Sequence, residues 1–243
     1  MVMTDLTAKV AVISGASSGI GKAIALGLAA QGTTLCLCGR NRQTLKAVAE
    51  EAQEMTREVR CYQVDLKVNE DVAELTKNVL RDFGRVDILV HSAGVINLSK
   101  LENSAIGDFD WHYQVNLRAP YLLTYFLLPT IKTNQGQIVF VNSSAGLNPA
   151  ANLTQYAATK HALRAISDGL RAEVNPHGVR VTSVYPGRTA TPMQERVYKL
   201  EGRTYEPKRL LRPEDVAAVV IQALSLPSTA EVTDISIRPM TKP

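Results

Sequence analysis

A tyrosine and a lysine one helical turn apart are the residues of this sequence best suited to proton transfer. Tyr156 and Lys160 lie four positions apart, so on a helix their side chains project from the same face. A phenol titrates at about pH 10, and a neighbouring ammonium group favours its charged form, which makes the hydroxyl a usable acid and base nearer neutral pH. Ser143 lies upstream after an apolar run, where its hydroxyl can polarise a carbonyl oxygen.

The same pair also has a purely structural interpretation, because tyrosine and lysine at helical spacing are common on ordinary helices. What favours chemistry is the position of the pair and of Ser143 in the predicted fold. They follow predicted strands, and open α/β sheets bind ligands at the carboxyl ends of their strands.

A glycine-rich turn near the N-terminus predicts the second half of a reaction site. Gly15, Gly19 and Gly21 fall between the first predicted strand and the first predicted helix. Such a turn needs free φ and a backbone that approaches a pyrophosphate closely, and the following helix offers free N–H groups to phosphates. On its own a glycine turn is a weak signal, but at a strand–helix junction it indicates a dinucleotide site.

The end of the second predicted strand bears on the choice of cofactor. NAD sites usually have an acidic residue here for the ribose 2′-hydroxyl, and no acid lies between Thr33 and Gln43. Arg40 is suited to grip a 2′-phosphate, which favours NADP(H) over NAD(H). The alternative is that Arg40 and Arg42 simply begin a solvated helix.

Asp65, just after the third predicted strand, also has two interpretations. Its carboxylate is suited to accept a hydrogen bond from the adenine amino group. The alternative is an N-cap at the start of the next helix.

Short β-branched runs alternate with longer helical patterns along the whole chain, and these elements must position the reactive residues. Strands are predicted at 9–14, 34–38, 59–64, 86–91, 137–142, 179–185 and 232–238. Helices are predicted at 19–31, 42–56, 70–83, 109–132, 154–173 and 213–225, with Pro120 and Pro129 as kink and end points of the fourth. The alternation predicts an α/β fold: a single-domain, Rossmann-type doubly wound parallel sheet of about seven strands with helices on both faces.

Composition excludes several other classes of protein. Among 243 residues, 27 basic and 23 acidic side chains are interspersed and leave a net charge of +4, so a nucleic-acid partner is not expected. Cys36, Cys38 and Cys61 form no CxxC pair, which predicts no metal site and fits a reducing, cytoplasmic location. Residues 1–8 lack a signal-peptide pattern and no apolar run reaches the length of a membrane span, so no membrane partner is expected.

Over nearly its whole length the sequence resembles the short-chain dehydrogenase/reductase family. The matching features are the 14–21 turn, Asp65, residues 91–94, Asn116, Ser143, Tyr156 with Lys160, and Pro186 with Gly187, in the family's order and spacing. The resemblance implies one domain over residues 1–243. It implies that Tyr156 is the general acid/base, that Lys160 modulates its pKa and anchors the ribose, and that Ser143 orients the carbonyl.

The resemblance also implies roles for residues that the pattern alone does not assign. Asn116 is expected to hold a water that links Lys160 to a proton relay; the alternative is a polar residue that satisfies a helix kink. Residues 188–210 are expected to form a mobile lid over the substrate. The expected cofactor contacts are Gly15, Ser17, Ser18, Gly19, Ile20, Gly21, Arg40, Asp65, Leu66, Ser92, Ala93, Gly94, Tyr156, Lys160, Pro186, Gly187, Thr189 and Thr191.

The sequence departs from the family pattern at two places. Ser14 replaces the usual threonine at the start of the glycine motif, a change that keeps the hydroxyl. His91 and Ser92 replace two asparagines, which puts side-chain contacts near the adenosine ribose in doubt. His91 ends a buried strand and is interpreted as a structural histidine.

Three functions are consistent with these residues. The first is an NADP(H)-dependent oxidoreductase that transfers a hydride between nicotinamide and a small-molecule carbonyl or secondary alcohol. The second is a 3-oxoacyl carrier-protein-type reductase, whose acidic partner would meet basic lid residues. The third is a non-catalytic dinucleotide-binding sensor. The resemblance further implies a homodimer or homotetramer formed through the helices at 109–132 and 154–173.

Overall fold

Seven parallel strands form one sheet in the computed structural model, which describes residues 4–241. Residues 1–3 and 242–243 lie outside the described part of the chain. The ends of the predicted 1–243 domain, and the start of the 1–8 segment considered as a signal peptide, therefore fall outside it. The strands are β1 (Val10–Ser14), β2 (Thr34–Gly39), β3 (Val59–Gln63), β4 (Ile88–His91), β5 (Gln137–Val141), β6 (Arg180–Pro186) and β7 (Asp234–Ile237). Their order is β3-β2-β1-β4-β5-β6-β7, the doubly wound arrangement predicted from the sequence.

Helices connect the strands and cover both faces of the sheet. They are α1 (Gly19–Ala29), α2 (Arg42–Gln53), α3 (Asn69–Phe83), α4 (Ile106–Tyr113), α5 (Ala119–Thr133), α6 (Thr154–Val174), α7 (Pro192–Leu200) and α8 (Pro213–Leu224). All seven predicted strands and the six predicted helical regions are confirmed, with boundaries that differ by a few residues. The sequence analysis did not predict α7.

The core consists of two apolar layers, one on each face of the sheet. Ile13 of β1 faces the layer that contains α1, α2 and α8, whereas its neighbour Val12 faces the layer that contains α3, α5 and α6. Because both faces are covered, residues of both orientations along β1 are apolar and fully buried. The residues Val10–Ile13 of this strand therefore form a continuous apolar run, as expected for a strand of a parallel sheet that is covered on both faces.

The predicted helix at 109–132 is divided into three parts. It begins earlier, at Ile106, and a π-helical segment (Gln114–Arg118) separates α4 from α5. Pro120 lies in the first turn of α5, immediately after this segment. The expectation that Pro129 ends the helix is wrong, since α5 continues to Thr133. Proline removes one backbone donor, and the carbonyl it would bond belongs to Tyr125, which lies at an exposed position where water can replace that donor.

The cysteines are free thiols in the described part of the chain. Cys36 and Cys38 are fully buried on β2, and burial raises the pKa of both thiols, so they pack as small apolar side chains. Residues 4–241 include no group of three or more histidine, cysteine or acidic side chains placed to hold a metal ion. No helix in this range combines the length and apolarity needed to cross a bilayer.

His91 is built into the core at the end of β4. Its ring stacks on Phe140 with a centroid distance of 4.7 Å, and Nε2 lies 2.9 Å from the hydroxyl of Thr124. Burial lowers the pKa of His91 to about 3. The folded protein therefore holds this ring neutral, in agreement with a structural histidine.

Replacing His91 by asparagine is expected to make stability less sensitive to acid. The unfolded chain protonates this histidine at about pH 6.5 and the folded chain does not, so the wild type loses up to about 1.4 kcal/mol of unfolding free energy per pH unit below that value. His91→Asn has no such group and keeps an amide for Thr124. Denaturant unfolding at pH 7.5 and 4.5 measures the difference. Equal losses in the two proteins would contradict the assignment.

Candidate active site

The carboxyl ends of β1, β4, β5 and β6 meet at one edge of the sheet, and a cleft opens there. The chain runs outward from β1 in opposite directions to β2 and to β4, so the crevice beside β1 lies at the switch point of the topology. Every residue predicted to contact the cofactor lines this single cleft. Tyr156 and Ser143 line it too, which brings the glycine turn and the candidate proton donor into one site.

Three glycines close the turn after β1, each for a steric reason. A Cβ on Gly15 would lie 2.7 Å from the Cα of Ala93, and Gly15 has a φ of +69°. A Cβ on Gly21 would overlap the carbonyl oxygen of Gly15. A Cβ on Gly19 would lie 2.9 Å from the methyl group of Thr191, at the start of α7. The turn is thus packed against both the loop after β4 and Thr191, at the start of α7.

The Ser14 hydroxyl ties β1 to the same loop. It accepts hydrogen bonds from the backbone N–H groups of Ser92, at 3.2 Å, and Ala93, at 3.3 Å. It also donates to the carbonyl of Val90 at 3.4 Å. The Thr-to-Ser departure from the family pattern therefore preserves a hydroxyl that this structure uses.

The N-terminus of α1 is suited to bind phosphate. Ser18 is its N-cap residue, yet its hydroxyl makes no capping hydrogen bond. First-turn amides have no intrahelical acceptor, so those of Gly19, Ile20 and Gly21 face the cleft as free donors at the positive end of the helix dipole. This donor set, in a cradle that leaves no room for side chains at the glycines, fits the pyrophosphate of a dinucleotide.

Arg40 lies where β2 ends and is exposed at the cleft. Its guanidinium makes no hydrogen bond or ion pair with the described residues. The alternative that both arginines begin a helix is confirmed for Arg42, the first residue of α2, and is wrong for Arg40, which precedes the N-cap Asn41. Asn41 accepts from the N–H groups of Gln43 and Thr44. Arg40 is thus left with its charge directed at the cleft.

Asp65 does not cap the helix that follows it, because the N-cap of α3 is Val68. Its Oδ1 instead accepts from the N–H of Lys67 at 3.1 Å, and the Lys67 ammonium lies 3.4 Å from Oδ2. The carboxylate is therefore held by a local turn at the rim of the cleft, where it retains acceptor capacity for a ligand.

Tyr156 and Lys160 project from the inner face of α6, and Ser143 faces them from the loop after β5. Both α6 side chains are buried, with exposed fractions of 8% and 3%. The Ser143 oxygen accepts from the N–H of Ala145 at 3.1 Å, and its interaction with Tyr156 acts to lower the pKa of that phenol. The Lys160 ammonium donates to the carbonyl of Val141 at 3.2 Å and lies 5.8 Å from the centre of the Tyr156 ring.

Burial dominates the electrostatics of this pair. It lowers the pKa of Lys160 to about 8, and it raises the pKa of Tyr156 above its usual value, an effect that the nearby Ser143 side chain opposes. The expected lowering of the Tyr156 pKa by Lys160 is therefore not the largest effect within the chain. The cost of desolvating the phenolate outweighs the attraction of the Lys160 ammonium, whose nitrogen lies 5.8 Å from the centre of the Tyr156 ring.

Asn116 lies in the π-helical segment and is fully buried. Its Oδ1 accepts from the N–H of Val95 at 2.8 Å, and its Nδ2 donates to the carbonyl of Val95 at 2.9 Å. The side chain thus bonds outside its own helix, which does not fit the alternative of satisfying a helix kink. A Cβ on Gly94 would lie 3.6 Å from Asn116 Oδ1 and 3.9 Å from Lys160 Nζ, so both polar groups border the same small space.

The segment at 188–210 contains α7, which the sequence analysis missed. Thr191 caps this helix by accepting from the N–H of Gln194 at 3.1 Å, and Pro192 occupies its first turn. That Thr-Pro pair is the signal that could have revealed the helix. Met193 and Gln194 of α7 line the cleft, and so do Gly39, Val64, Val95, Val115, Val141, Asn142 and Pro192, none of which was predicted as a site residue.

Comparisons with known proteins agree with this architecture. The family model described as short chain dehydrogenase matches residues 9–202. An uncharacterized oxidoreductase of Staphylococcus epidermidis is 35% identical over 239 residues, which cover 98% of this chain and all of the relative.

Two solved structures extend the likeness to three dimensions. An alcohol dehydrogenase from the archaeon Thermococcus sibiricus, complexed with 5-hydroxy-NADP, is 32% identical with a TM-score of 0.88, over 97% of this chain and 98% of that one. A 3-ketoacyl-(acyl-carrier-protein) reductase from Brucella melitensis, complexed with NADH, is 29% identical with a TM-score of 0.85, over 96% and 97% of the two chains. The family match, the identity over full length and the shared fold together establish that this chain belongs to the short-chain dehydrogenase family and is an oxidoreductase.

Proposed function

We propose that this oxidoreductase uses NADP(H) to interconvert a small-molecule carbonyl and a secondary alcohol, with Tyr156 as the general acid/base. The observation that carries the proposal is the Tyr156 hydroxyl. Tyr156 is buried one helical turn from Lys160, and it lines the same cleft as Ser143 and the glycine turn. When bound, the nicotinamide cofactor supplies or accepts the hydride.

The chain's own residues carry out the proton transfer that accompanies the hydride transfer. In the reducing direction Tyr156 donates its hydroxyl proton to the carbonyl oxygen while Ser143 stabilises the charge that develops on that oxygen. The Lys160 ammonium stabilises the phenolate that remains. The position of Asn116 and Lys160 around the same small space beside Gly94 supports a proton relay that returns the proton to Tyr156 from this side.

Arg40 supports the preference for NADP(H). Its guanidinium is free of protein partners in the described part of the chain and lies at the rim of the cleft, and a 2′-phosphate would give it a charge-assisted, bidentate hydrogen bond. Of the two solved relatives, one is complexed with an NADP derivative and the other with NADH, so the family alone does not decide the preference.

Replacing Arg40 by aspartate is expected to reverse the cofactor preference. The new carboxylate repels a 2′-phosphate and accepts from a ribose 2′-hydroxyl, so the ratio of kcat/KM for NADPH to that for NADH should fall at least tenfold, about 1.4 kcal/mol. Arg42→Asp is the matched control, because Arg42 is exposed but lies outside the cleft. An Arg40→Asp ratio equal to that of the control would refute the role of Arg40.

A 3-oxoacyl carrier-protein-type reductase remains the second candidate. The specific observation in its favour is the basic surface of α7, where Arg196 and Lys199 are exposed beside the mouth of the site. Such a surface suits an acidic partner protein. A sensor without turnover is not proposed, because the chain belongs to a family of oxidoreductases and keeps the complete Asn116, Ser143, Tyr156 and Lys160 set.

A panel of substrates separates the two candidates. NADPH oxidation is followed with simple ketones, hydroxyketones and acyl thioesters at equal concentrations. Turnover of ketones without thioester turnover supports the first function, whereas a thioester preferred by tenfold or more supports the second. No turnover of any carbonyl, together with tight NADPH binding, would count against both.

We further propose a homodimer or homotetramer. Exposed apolar side chains on α4 and α5, among them Ile106, Tyr121 and Tyr125, support a partner on this face.

The free cysteines support a reducing, cytoplasmic location.

A further inference from the structure

Three polar residues at four-residue intervals form one stripe along the inner face of α4 and the π-helical segment. They are Asp108, His112 and Asn116. All three bond the segment 95–98, which follows β4 and is called the β4 loop below. Asn116 was expected to have a role from the family resemblance; Asp108 and His112 were not.

His112 makes the central contact of this stripe. Its Nε2 lies 2.9 Å from the backbone nitrogen of Asn97, while the Asn97 side chain donates to Asp108 at 2.8 Å. A backbone N–H can only donate, so Nε2 must be the unprotonated acceptor and the neutral ring carries its proton on Nδ1. His112 is fully buried, and Nδ1 has no partner among the described residues.

The β4 loop borders the reactive tyrosine. Val95 lines the cleft, and Ile96 packs against the small apolar cluster of Ala145, Tyr156 and Ala157. The His112 ring itself meets the Tyr156 ring edge-on, with centroids 6.2 Å apart. A shift of the loop would therefore move the wall beside the hydroxyl that the proposed function makes the proton donor.

We propose that His112 is a positioning residue for the substrate site, holding the β4 loop against Tyr156 through the hydrogen bond that it accepts from Asn97, and that acid releases the loop by protonating this acceptor. The inference rests on the proposed function for its effect on catalysis, but the contact between His112 and the loop does not depend on it.

The charged and titratable groups around His112 determine the pH at which its ring is protonated and the β4 loop is released. Asp108 lies on its own helix, the Tyr156 ring meets it from α6, and the chain between Ser92 and Ser99 carries no charged side chain. Burial lowers the pKa of His112 below its usual value, and Asp108 opposes that effect. The ring is thus neutral at pH 7, and the hold on the loop weakens as the pH falls below about 6.5.

Two variants and a control test the proposal. His112→Gln keeps an acceptor near the Nε2 position and cannot be protonated, whereas His112→Leu fills the space without an acceptor. His177→Leu is the control, because His177 is exposed and far from the cleft in sequence and fold. Each protein is assayed from pH 5 to 8 with saturating NADPH and the best carbonyl substrate of the panel.

The wild type and the control should show a KM for the carbonyl substrate that rises at least fivefold between pH 7.5 and 5. His112→Gln should have a wild-type KM at pH 7.5 and lose this rise. His112→Leu should have a KM raised at least fivefold at pH 7.5, with kcat and NADPH affinity within threefold of wild type. A Leu variant with wild-type KM, or a Gln variant that keeps the acid rise, would overturn the proposal.

Hydrogen–deuterium exchange gives a readout that does not require turnover. Peptides covering residues 95–99 should exchange at least tenfold faster in His112→Leu than in the wild type or in His112→Gln at pH 7.5, because the Asn97 amide has lost its acceptor. Equal protection in all three proteins would overturn the proposal even if no carbonyl were reduced. Faster exchange without any carbonyl turnover would support the contact and count against the proposed function alone.

Discussion

Replacing Tyr156 by phenylalanine should lower kcat/KM for carbonyl reduction by about 10²–10⁴-fold, the contribution typical of a positioned general acid. The substitution removes one oxygen atom from a buried side chain and leaves the ring packed beside Ala145 and Ala157. Among the described residues, no other tyrosine lines the cleft to take over the proton transfer. Steady-state kinetics with NADPH measure the loss, and fluorescence titration measures NADPH binding.

Tyr62→Phe is a suitable control for this experiment. It removes a tyrosine hydroxyl that is hydrogen-bonded to Asp82 at 2.9 Å, on a strand at the edge of the sheet and outside the cleft. Its activity should stay within twofold of wild type. Tyr156→Phe should bind NADPH within threefold of the wild-type affinity, so that the lost activity reports proton transfer. Retention of more than a tenth of the wild-type kcat/KM would exclude Tyr156 as the general acid.

Replacing Gly21 by alanine should both destabilise the fold and weaken cofactor binding. The added methyl group has no free space, because the carbonyl oxygen of Gly15 and the Ser92 hydroxyl occupy it. To avoid this steric clash, the glycine turn would have to shift away from the position in which its backbone N–H groups face the cleft. We expect a loss of about 1–3 kcal/mol in the free energy of unfolding and a Kd for NADPH raised at least tenfold. Denaturant unfolding and fluorescence titration measure the two effects.

Gly169→Ala is the matched control for this substitution. Gly169 also lies within a helix, α6, but it is exposed and a Cβ there would meet nothing within 4 Å. Alanine at an open helical position raises stability by about 0.5–1 kcal/mol and should leave the NADPH affinity unchanged. If Gly21→Ala behaved like Gly169→Ala, the glycine turn would not be the rigid element that the packing indicates.

Local patterns were sufficient wherever one physical requirement dominates. The central strand β1 is buried along its whole length between two layers of helices, so its run of apolar residues could be recognised from the sequence. The four-residue spacing of Tyr156 and Lys160 placed both on one face of α6 with no knowledge of what lay opposite. Gly15 was recognisable because a turn with positive φ at a strand–helix junction requires glycine.

Other features depend on contacts between distant segments. The π-helical segment Gln114–Arg118 contains no glycine or proline that would have predicted it. The position of the Asn116 side chain is set by its hydrogen bonds to the backbone of Val95, which lies 21 positions away in the chain. The pKa of Tyr156 was expected to fall because Lys160 is near in sequence, yet burial by the rest of the fold raises it. Pro129 was predicted to end the helix, but α5 continues past it because the carbonyl of Tyr125, which loses its helical donor, lies at an exposed position where water can replace that donor.

The sequence by itself determined the fold class, the glycine turn, the family and the choice of candidate reactive residues, because these depend on residue type and on short-range spacing. Only the tertiary structure decided the electrostatic state of Tyr156 and Lys160 and the wall that His112 and Asn116 hold beside them. The physical reason is that desolvation and long-range hydrogen bonds are properties of an environment, which several distant segments build together.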